Sequence, residues 1–528
     1  MRTILMGVYL AVLLAAMLVP CKHALHMFQQ NRYEVKRYAA WIRDNWKSGM
    51  RRALYPFLII FAAGVLAFLL KFEQVLVLCT ITAGILAFRL LKKEYHAEYI
   101  KPLVYTGRVK RQIAVMAVLI ILILALATLH PGRIFCMLTL AFCYFGPWLL
   151  IFLVAAVTSP IERGVQRWYI NDAKRMLKEH SDLIKIGITG SYGKTSTKNV
   201  IQSVVSEQFN SLMTPASYNT PMGITRTIRE HLKPIHRVFV CEMGADKVGD
   251  IMELMEFVKP SIGVVTSIGP QHLSTFGSQE NITREKMQMI EMLPEDGLGI
   301  LNIDNPLIRD YKPKNKVRIV TYGIENTEAD YRAEDIVFDA RGSRFTLVHG
   351  DERIPFETKL LGDLNILNIL SAIICSRELG IDWPVIRKAV REMHQVEHRL
   401  ELKKIRGLTF IDDAFNANPS GAGMALRVLA KMPGRRFIVT PGMIELGEQQ
   451  DEINRAFGRQ MLGCADEVVL VGRRQVKPIA EGVEESGFDM SHCLIVDTVK
   501  EAFDYIWKNA GPQDTILLEN DLPDAFNH

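Results

Sequence analysis

Five apolar runs near the start of the chain limit its fold more than any other feature. They cover Ile4–Val19, Leu54–Leu70, Val75–Leu91, Ile113–Leu129 and Ile134–Val157. A helix needs about 20 apolar residues to cross a bilayer core. Backbone groups inside that core must be paired within the segment, so runs of this length predict membrane-spanning helices. The first run stands where a signal peptide would. No small-residue cleavage site follows it and it ends at Pro20-Cys21, so it reads as a retained span.

The connecting loops set an orientation. Residues 21–53 hold eight Lys/Arg and residues 89–111 hold seven, while the connections near Lys71–Glu73 and His130–Arg133 are short and nearly neutral. Basic loops stay in the cytoplasm. Five spans then put the N-terminus outside and everything after Val157 inside. This predicts a multi-pass protein of the cell (inner) membrane, with basic loops that also meet anionic membrane lipids. The spans carry almost no ionisable side chains, which argues for an anchor rather than an ion or proton pathway. His23 and His26 read as an interfacial helix end, not a metal site.

Charge is divided along the chain. Residues 1–180 hold 23 Lys/Arg against 8 Asp/Glu, and the rest hold 40 against 49. The net +6 therefore belongs to the membrane part. An acidic remainder predicts no nucleic-acid partner, since phosphate-backbone binding needs excess positive charge. The eight cysteines form no C-x-x-C pair. Cys136 and Cys143 lie seven apart, on one face of an apolar helix, and read as packing residues.

The sequence IKIGITGSYGKTSTKN at Ile184–Asn199 carries the first chemistry. Lys185–Thr189 reads as a buried strand, Gly190-Ser191-Tyr192-Gly193 as a tight turn, and Lys194-Thr195-Ser196 as a helix start. Strand, glycine turn and helix N-terminus make a phosphate cradle, with a lysine for the terminal phosphates of ATP and a hydroxyl for Mg²⁺. Gly190, Ser191, Gly193, Lys194, Thr195 and Ser196 are its predicted residues. Further strand-like runs at Arg237–Cys241, Ile262–Thr266 and Gly297–Leu301 alternate with helical stretches, so an α/β layer with a mainly parallel sheet is expected. Glu242, His272 and Asn302 fall just past strand ends, where ligands of such sheets bind. A second alternating unit has runs at Leu408–Ile411, Arg436–Val439, Glu467–Val471 and Thr515–Leu518.

The segments GITGSYGKTSTKN, CEMGA, IGPQHLSTFGSQENITREK, LNIDN, GDLNILN, HRLE and DDAFNANPSG occur in one order over about residues 182–528. In this they resemble the Mur ligase family, most of all its branch that adds D-alanyl-D-alanine to a UDP-muramoyl tripeptide. The apolar runs predict a transmembrane helical domain at 1–170, and the resemblance implies after it a central P-loop ATP-binding domain at 181–395 and a Rossmann-like domain at 397–528. It implies ATP-dependent amide synthesis through an acyl phosphate, with ATP and Mg²⁺ as cofactors and a carboxylate donor and an amine acceptor as partners.

The resemblance also implies residue roles. Lys194 would hold the β/γ-phosphates, Thr195 and Glu242 the first Mg²⁺, and His272 the second. Lys286 stands where the family carries a carbamylated lysine that turns a cation into a metal-binding carboxylate. Asn302 would contact the adenine or ribose, Arg399 the phosphates, Asp413 either Arg399 or the ribose, and Asn416 and Asn418 the adenine side. Asn219 and Thr220 are candidates for acceptor contacts. Asn365 and Asn368 read as helix capping and domain packing.

The pattern departs from the family twice. The N-terminal UDP-binding domain is replaced by the apolar runs, so a membrane-held, lipid-linked glycan, peptide or polymer is expected as donor. Glu519-Asn520-Asp521 stands where that branch has a basic Lys-Gly-Ser turn, which suits an amine or cationic acceptor. The alternatives are a polymerising ligase like poly-γ-glutamate synthase, a non-enzymatic ATP-switched membrane protein, and a nucleotide-binding chain without ligase activity.

Overall fold

The computed structural model describes residues 2–45, 58, 60, 62, 70–96, 102–129, 132–271, 273–339, 341–395, 398–414, 419–444, 446, 449–473 and 475–520. The chain divides into Met1–Trp168 and Tyr169–His528.

The first unit is helical. Arg2–Gln30, Phe72–Tyr95, Gly107–Leu129 and Arg133–Glu179 contain four of the predicted runs, and all four are long and apolar enough to cross a membrane. The fifth, Leu54–Leu70, lies almost wholly outside the described residues. Arg2 pairs with Glu73, and Lys22 and His23 pair with Glu94. The two helices therefore run side by side in the same direction. Their seam buries Leu13, Ala16, Leu76, Cys79 and Ala83. Arg111 grips Glu162 with two hydrogen bonds of 2.7 and 2.8 Å, tying the fourth predicted span to the helix that carries the fifth. Cys136 and Cys143 are buried in this packing, as expected, and all eight cysteines are free thiols. Large side chains such as Ile4, Phe88, Leu126 and Leu149 remain exposed on the helix surfaces.

The fifth run does not stop at Val157. Its helix continues through Pro160 to Glu179. Beyond Pro160 the sequence is rich in good helix formers, and Asp172 and Glu179 both pair with Arg175 at helical spacing.

The second unit holds two sheets. The first contains β1 (Ile184–Thr189), β2 (Ser211–Met213), β3 (Val238–Glu242), β4 (Ile262–Val265), β5 (Leu298–Asn302), β6 (Arg318–Gly323), β7 (Tyr331–Asp339), β8 (Gly342–His349) and β9 (Glu352–Thr358). Their order is β2-β3-β1-β4-β5-β6-β7-β8-β9. Neighbours through β7 are parallel, and β7–β8–β9 is an antiparallel meander. The expected parallel sheet is thus extended by an element the helix–strand alternation did not suggest. Connections as short as 350–351 leave room only for hairpins. Tyr331, Ala333, Phe345, Leu347 and Phe356 supply its buried face, while Arg353 and Glu334 pair outside.

The second sheet contains β10 (Glu401–Ile405), β11 (Leu408–Asp413), β12 (Arg436–Thr440), β13 (Glu467–Val471), β14 (Cys493–Val496) and β15 (Thr515–Glu519), in the order β10-β11-β15-β12-β13-β14. Only β10 is antiparallel. The central strands are apolar on both faces, with Ile186, Ile188, Val240 and Val264 in one sheet and Phe437, Ile438, Ile516 and Leu517 in the other fully buried.

Helix Asp250–Val258 follows β3 and begins without a side-chain cap of its own. Glu285, from helix Gln279–Glu291, supplies the missing acceptors. Its Oε1 receives the Ile251 N–H at 2.7 Å and its Oε2 the Gly249 N–H at 2.9 Å, in a buried position. Glu285→Ala would strand two helix N-terminal donors. It should lower the unfolding free energy by about 2 kcal/mol in denaturant titration, with Glu285→Gln intermediate.

Candidate active site

β1 ends at Thr189, Gly190 follows it, and helix Lys194–Val205 begins five residues after the strand. Gly190 has φ +152°, and a Cβ there would lie 2.1 Å from Thr266 Oγ1 and 3.0 Å from the Ser267 carbonyl oxygen. Gly193, at φ +82°, opens the helix in a left-handed conformation. The turn is then pinned to the loop after β4. Thr266 Oγ1 donates to the Tyr192 carbonyl at 2.5 Å, the Ser191 N–H to the Ser267 carbonyl at 2.7 Å, and Ser191 Oγ to the Gly269 carbonyl at 3.0 Å. Ser191, predicted as a nucleotide contact, commits both groups to this brace. Lys194 Nζ folds back on the carbonyls of Gly190 and Ser191, at 2.6 and 2.9 Å.

β3 ends at Glu242, whose side chain is buried. Its Oε1 accepts from Asn219 Nδ2 at 3.0 Å and its Oε2 from Lys198 Nζ at 3.1 Å. Asn219, predicted as an acceptor contact, thus positions this carboxylate, and Thr220 caps helix Pro221–His231. β5 ends at Asn302, whose Nδ2 donates to the Thr266 carbonyl at 2.9 Å. Asn368 Oδ1 accepts from Thr197 Oγ1 at 2.7 Å, joining its helix to the nucleotide-turn helix as the packing role predicts. Lys286 is buried, with Nζ 3.3 Å from the Ala245 carbonyl. His272, Asn416 and Asn418 lie outside the described residues.

One cleft gathers much of this. Tyr192, Gly193, Ser196, Thr266 and Asn302 line it from the first sheet's side, Asn365 and Asn368 from helix Asp363–Glu378, and Arg399, Asp413 and Glu519 from the second sheet's side. Lys194, Glu242 and Arg399 lie near enough for their charges to act on one another. Thr195 stands in the first turn of the helix, and the described contacts assign its hydroxyl no partner.

Residues 188–376 match the Mur ligase middle domain, and residues 398–519 match the Mur ligase glutamate ligase domain. The UDP-N-acetylmuramoyl-tripeptide–D-alanyl-D-alanine ligase of Bacillus subtilis (strain 168) is 30% identical over 351 residues, 66% of this chain and 75% of that protein. This chain belongs to the Mur ligase family. The ligase of the same name from Escherichia coli (strain K12) is 27% identical over 331 residues, 60% of this chain and 72% of that one. MurF from Thermotoga maritima, solved in complex with ADP, superposes with a TM-score of 0.61 at 23% identity, covering 67% of this chain and 80% of that one. MurF from Acinetobacter baumannii gives 0.61 at 23%, covering 67% and 77%, and both structures speak for the fold.

As a Mur ligase the chain is an ATP-dependent, ADP-forming amide ligase, which removes the non-enzymatic alternatives. The residues present fit the phosphates and a divalent cation. The turn places a backbone cradle against a helix N-terminus, and the buried Glu242 carboxylate already faces a cation, the Lys198 ammonium. Lys198 was missed from sequence, although it lies four residues after Lys194 on the same helix face.

Burial sets the protonation of this Mur ligase's cleft. It pushes Lys286 down to about 7, helped by the positive charge of Lys194. It pushes Lys194 down to about 8, with Arg399 adding to the shift while Glu242 and Asp246 oppose it. Arg399 is lowered by burial too, against the pull of Asp413 and Glu242. Between pH 7 and about 10 the unfolded chain holds a proton on Lys286 that the folded chain has lost, so folding gains as pH rises through that window. Wild type should therefore gain stability relative to Lys286→Met between pH 7 and pH 10, measured by denaturant unfolding at each pH. A constant difference would show that Lys286 titrates as an ordinary lysine.

Proposed function

We propose that this ligase is anchored in the cell membrane by its apolar helices and joins a membrane-held carboxylate donor to an amine on the cytoplasmic side, through an acyl phosphate. The observation that carries the reading is the shared cleft. The nucleotide turn and Asn302 face Arg399 and Asp413 across it, so one ligand can be held from both sides. Two facts support the membrane-held donor. The Mur ligase family models match only from residue 188 on, after the helical unit. The basic loops also suit an orientation with both Mur domains on the cytoplasmic side.

Lys194 and Arg399 neutralise the phosphates while a donor carboxylate oxygen attacks the γ-phosphorus and ADP leaves. Gly190, Gly193 and Ser196 shape the cradle for those phosphates, with Ser191 bracing it from behind. Thr195 and Glu242 would hold one Mg²⁺, and His272 with a carbamylated Lys286 would hold a second. When bound, these ions supply charge neutralisation at the transferring phosphoryl group. Asn219 and Lys198 keep the Glu242 carboxylate aimed. A neutral Lys286 amine is the form that adds CO₂. At pH 7.5 a group with pKa about 7 is neutral in about three molecules of four, against about one in a thousand for an ordinary lysine. Asn302, Asp413 and Asn416 receive the nucleoside. Amine attack on the acyl carbon then expels phosphate.

The test uses the full chain in nanodiscs with ATP, Mg²⁺ and D-alanyl-D-alanine, and compares a lipid-linked muramoyl peptide with soluble UDP-muramoyl tripeptide. Mass spectrometry should find one amide adduct on the lipid-linked donor, at a kcat/KM well above that of the soluble one. Equal turnover of the soluble donor would sink the membrane-held substrate, and a ladder of products would favour a polymerising ligase. Lys194→Ala should cut kcat by about a hundredfold or more, an effect of the size seen when a transition-state charge loses its partner.

A further inference from the structure

Helix Lys194–Val205 turns one face inward, where Val200, Ile201 and Val204 are core residues. Lys198 is buried on the same helix, 1% exposed and among the largest side chains that the protein covers completely. A lysine on a surface helix ordinarily carries its ammonium out to water along its own apolar stem. This one is held inside by two acceptors. Nζ donates to Glu242 Oε2 at 3.1 Å and to the Ala216 carbonyl. Ala216 takes φ +44°, a left-handed conformation that residues with a Cβ rarely adopt. It belongs to the loop that also sends Asn219 to Glu242 Oε1, and whose Thr214 Oγ1 accepts the Glu242 N–H at 3.1 Å. The Lys198 ammonium is therefore a fixed charge.

Aiming a carboxylate does not need a charge, since Asn219 holds the other oxygen of Glu242 with a neutral amide. What the charge adds is balance. Glu242 and Lys198 form a neutral pair with both side chains 1% exposed. Among the described residues, Lys194 and Arg399 also act on Glu242, and Asp246 acts on Lys194. Three cations thus stand against two acids. A divalent cation that approaches Glu242 alone meets an excess of positive charge in a buried place, where repulsion is strong. The phosphates of a nucleotide reverse that sign.

We propose that Lys198 keeps a divalent cation off Glu242 until the phosphates of a nucleotide are in place, so that the metal enters only as its nucleotide complex. This rests on the reading of Glu242 as a metal ligand. Lys198 stays beside Glu242 before and after loading, and it acts through that carboxylate, so it is a positioning residue and not a catalytic one. Its contact with Ala216 serves the same end, because an ammonium free to swing away would leave Glu242 open to bare metal. By reciprocity, nucleotide and metal then each raise the affinity of the other.

Mn²⁺ is the probe, measured by equilibrium dialysis of the full chain in detergent with and without ADP. Wild type should bind it about a hundredfold more tightly with ADP, a comparison that needs no variant. Without ADP, Lys198→Gln should bind Mn²⁺ about tenfold or more tightly than wild type, whereas Lys198→Arg, which keeps the charge, should show no gain. Adding Glu242→Gln to Lys198→Gln should remove the gain, which separates Glu242 from the cluster of His398, Glu401 and Asp412. Asn219→Ala loosens Glu242 at constant charge and should gain nothing. The proposal is overturned if wild type binds Mn²⁺ equally with and without ADP, if Lys198→Gln gains nothing, or if Lys198→Arg or Asn219→Ala gains as much. Failure of the metal-ligand reading looks different, with Glu242→Gln leaving Mn²⁺ binding in the presence of ADP unchanged.

Discussion

The nucleotide turn takes its position from the contact between Gly190 and Thr266. Two parallel strands, β1 and β4, run in register to their carboxyl ends, and there the loops touch with no room for a side chain on Gly190. That closeness lets Thr266 and Ser267 hold the turn by the Tyr192 carbonyl and the Ser191 N–H. It also lets Asn302, one strand further on, reach the Thr266 carbonyl. A methyl group at Gly190 would push the turn off β4, and Lys194 would go with it. The parallel sheet gives the site its location, and this one absent Cβ gives it its shape.

Within that shape burial pushes the ionisable groups toward their neutral forms. Lys194, Lys286 and Arg399 are all pushed toward losing a proton, and Asp413 and Glu519 toward keeping one, with burial the largest cause in each case. Like charges sharpen this, Arg399 against Lys194 and Asp413 against Glu519. Ligands of opposite charge relieve the penalty. Much of the binding energy available to an anionic phosphate chain is therefore electrostatic, in a place where water does not dilute it. Arg399 links the two kinds of charge, facing Asp413 while adding to the shift of Lys194.

The nucleotide turn was fully legible in the sequence because its signal is local. Apolar strand, glycines at fixed spacing and Lys-Thr all fall within Ile184–Asn199. Strand runs such as Glu467–Val471 were equally plain, being short, apolar and bounded by turns. What stayed hidden depends on partners far along the chain. Lys198 reads as one more polar residue of a helix until β3 brings Glu242 to it. Glu519 reads as the first residue of an acidic tail until the register of β11 and β15 buries it beside Asp413. Ser191 is placed at the nucleotide by its motif position, and the hydrogen bonds that hold it to the loop after β4 come from residues about 75 positions along the chain. The β7–β9 meander did alternate polar and apolar residues in the sequence. It was overlooked because helix–strand alternation on its N-terminal side suggested a uniform parallel sheet.

The helical unit obeys the same logic at larger scale. Arg2 meets Glu73 at one end of a parallel helix pair, and Lys22 and His23 meet Glu94 some 20 residues on. At 1.5 Å per residue that separation is about 30 Å, the thickness of a bilayer's hydrocarbon core. Between the ionic ends the outward faces carry Ile4, Leu18, Ile81 and Phe88, a surface water would not tolerate in a lone soluble domain. Charges are confined to the two ends of the pair, and apolar side chains fill an interval long enough to cross a membrane. The helix that ends this unit continues without a break past Trp168, and Ala173 and Leu177 then enter the core of the ligase unit beside Ile224 and Ile228.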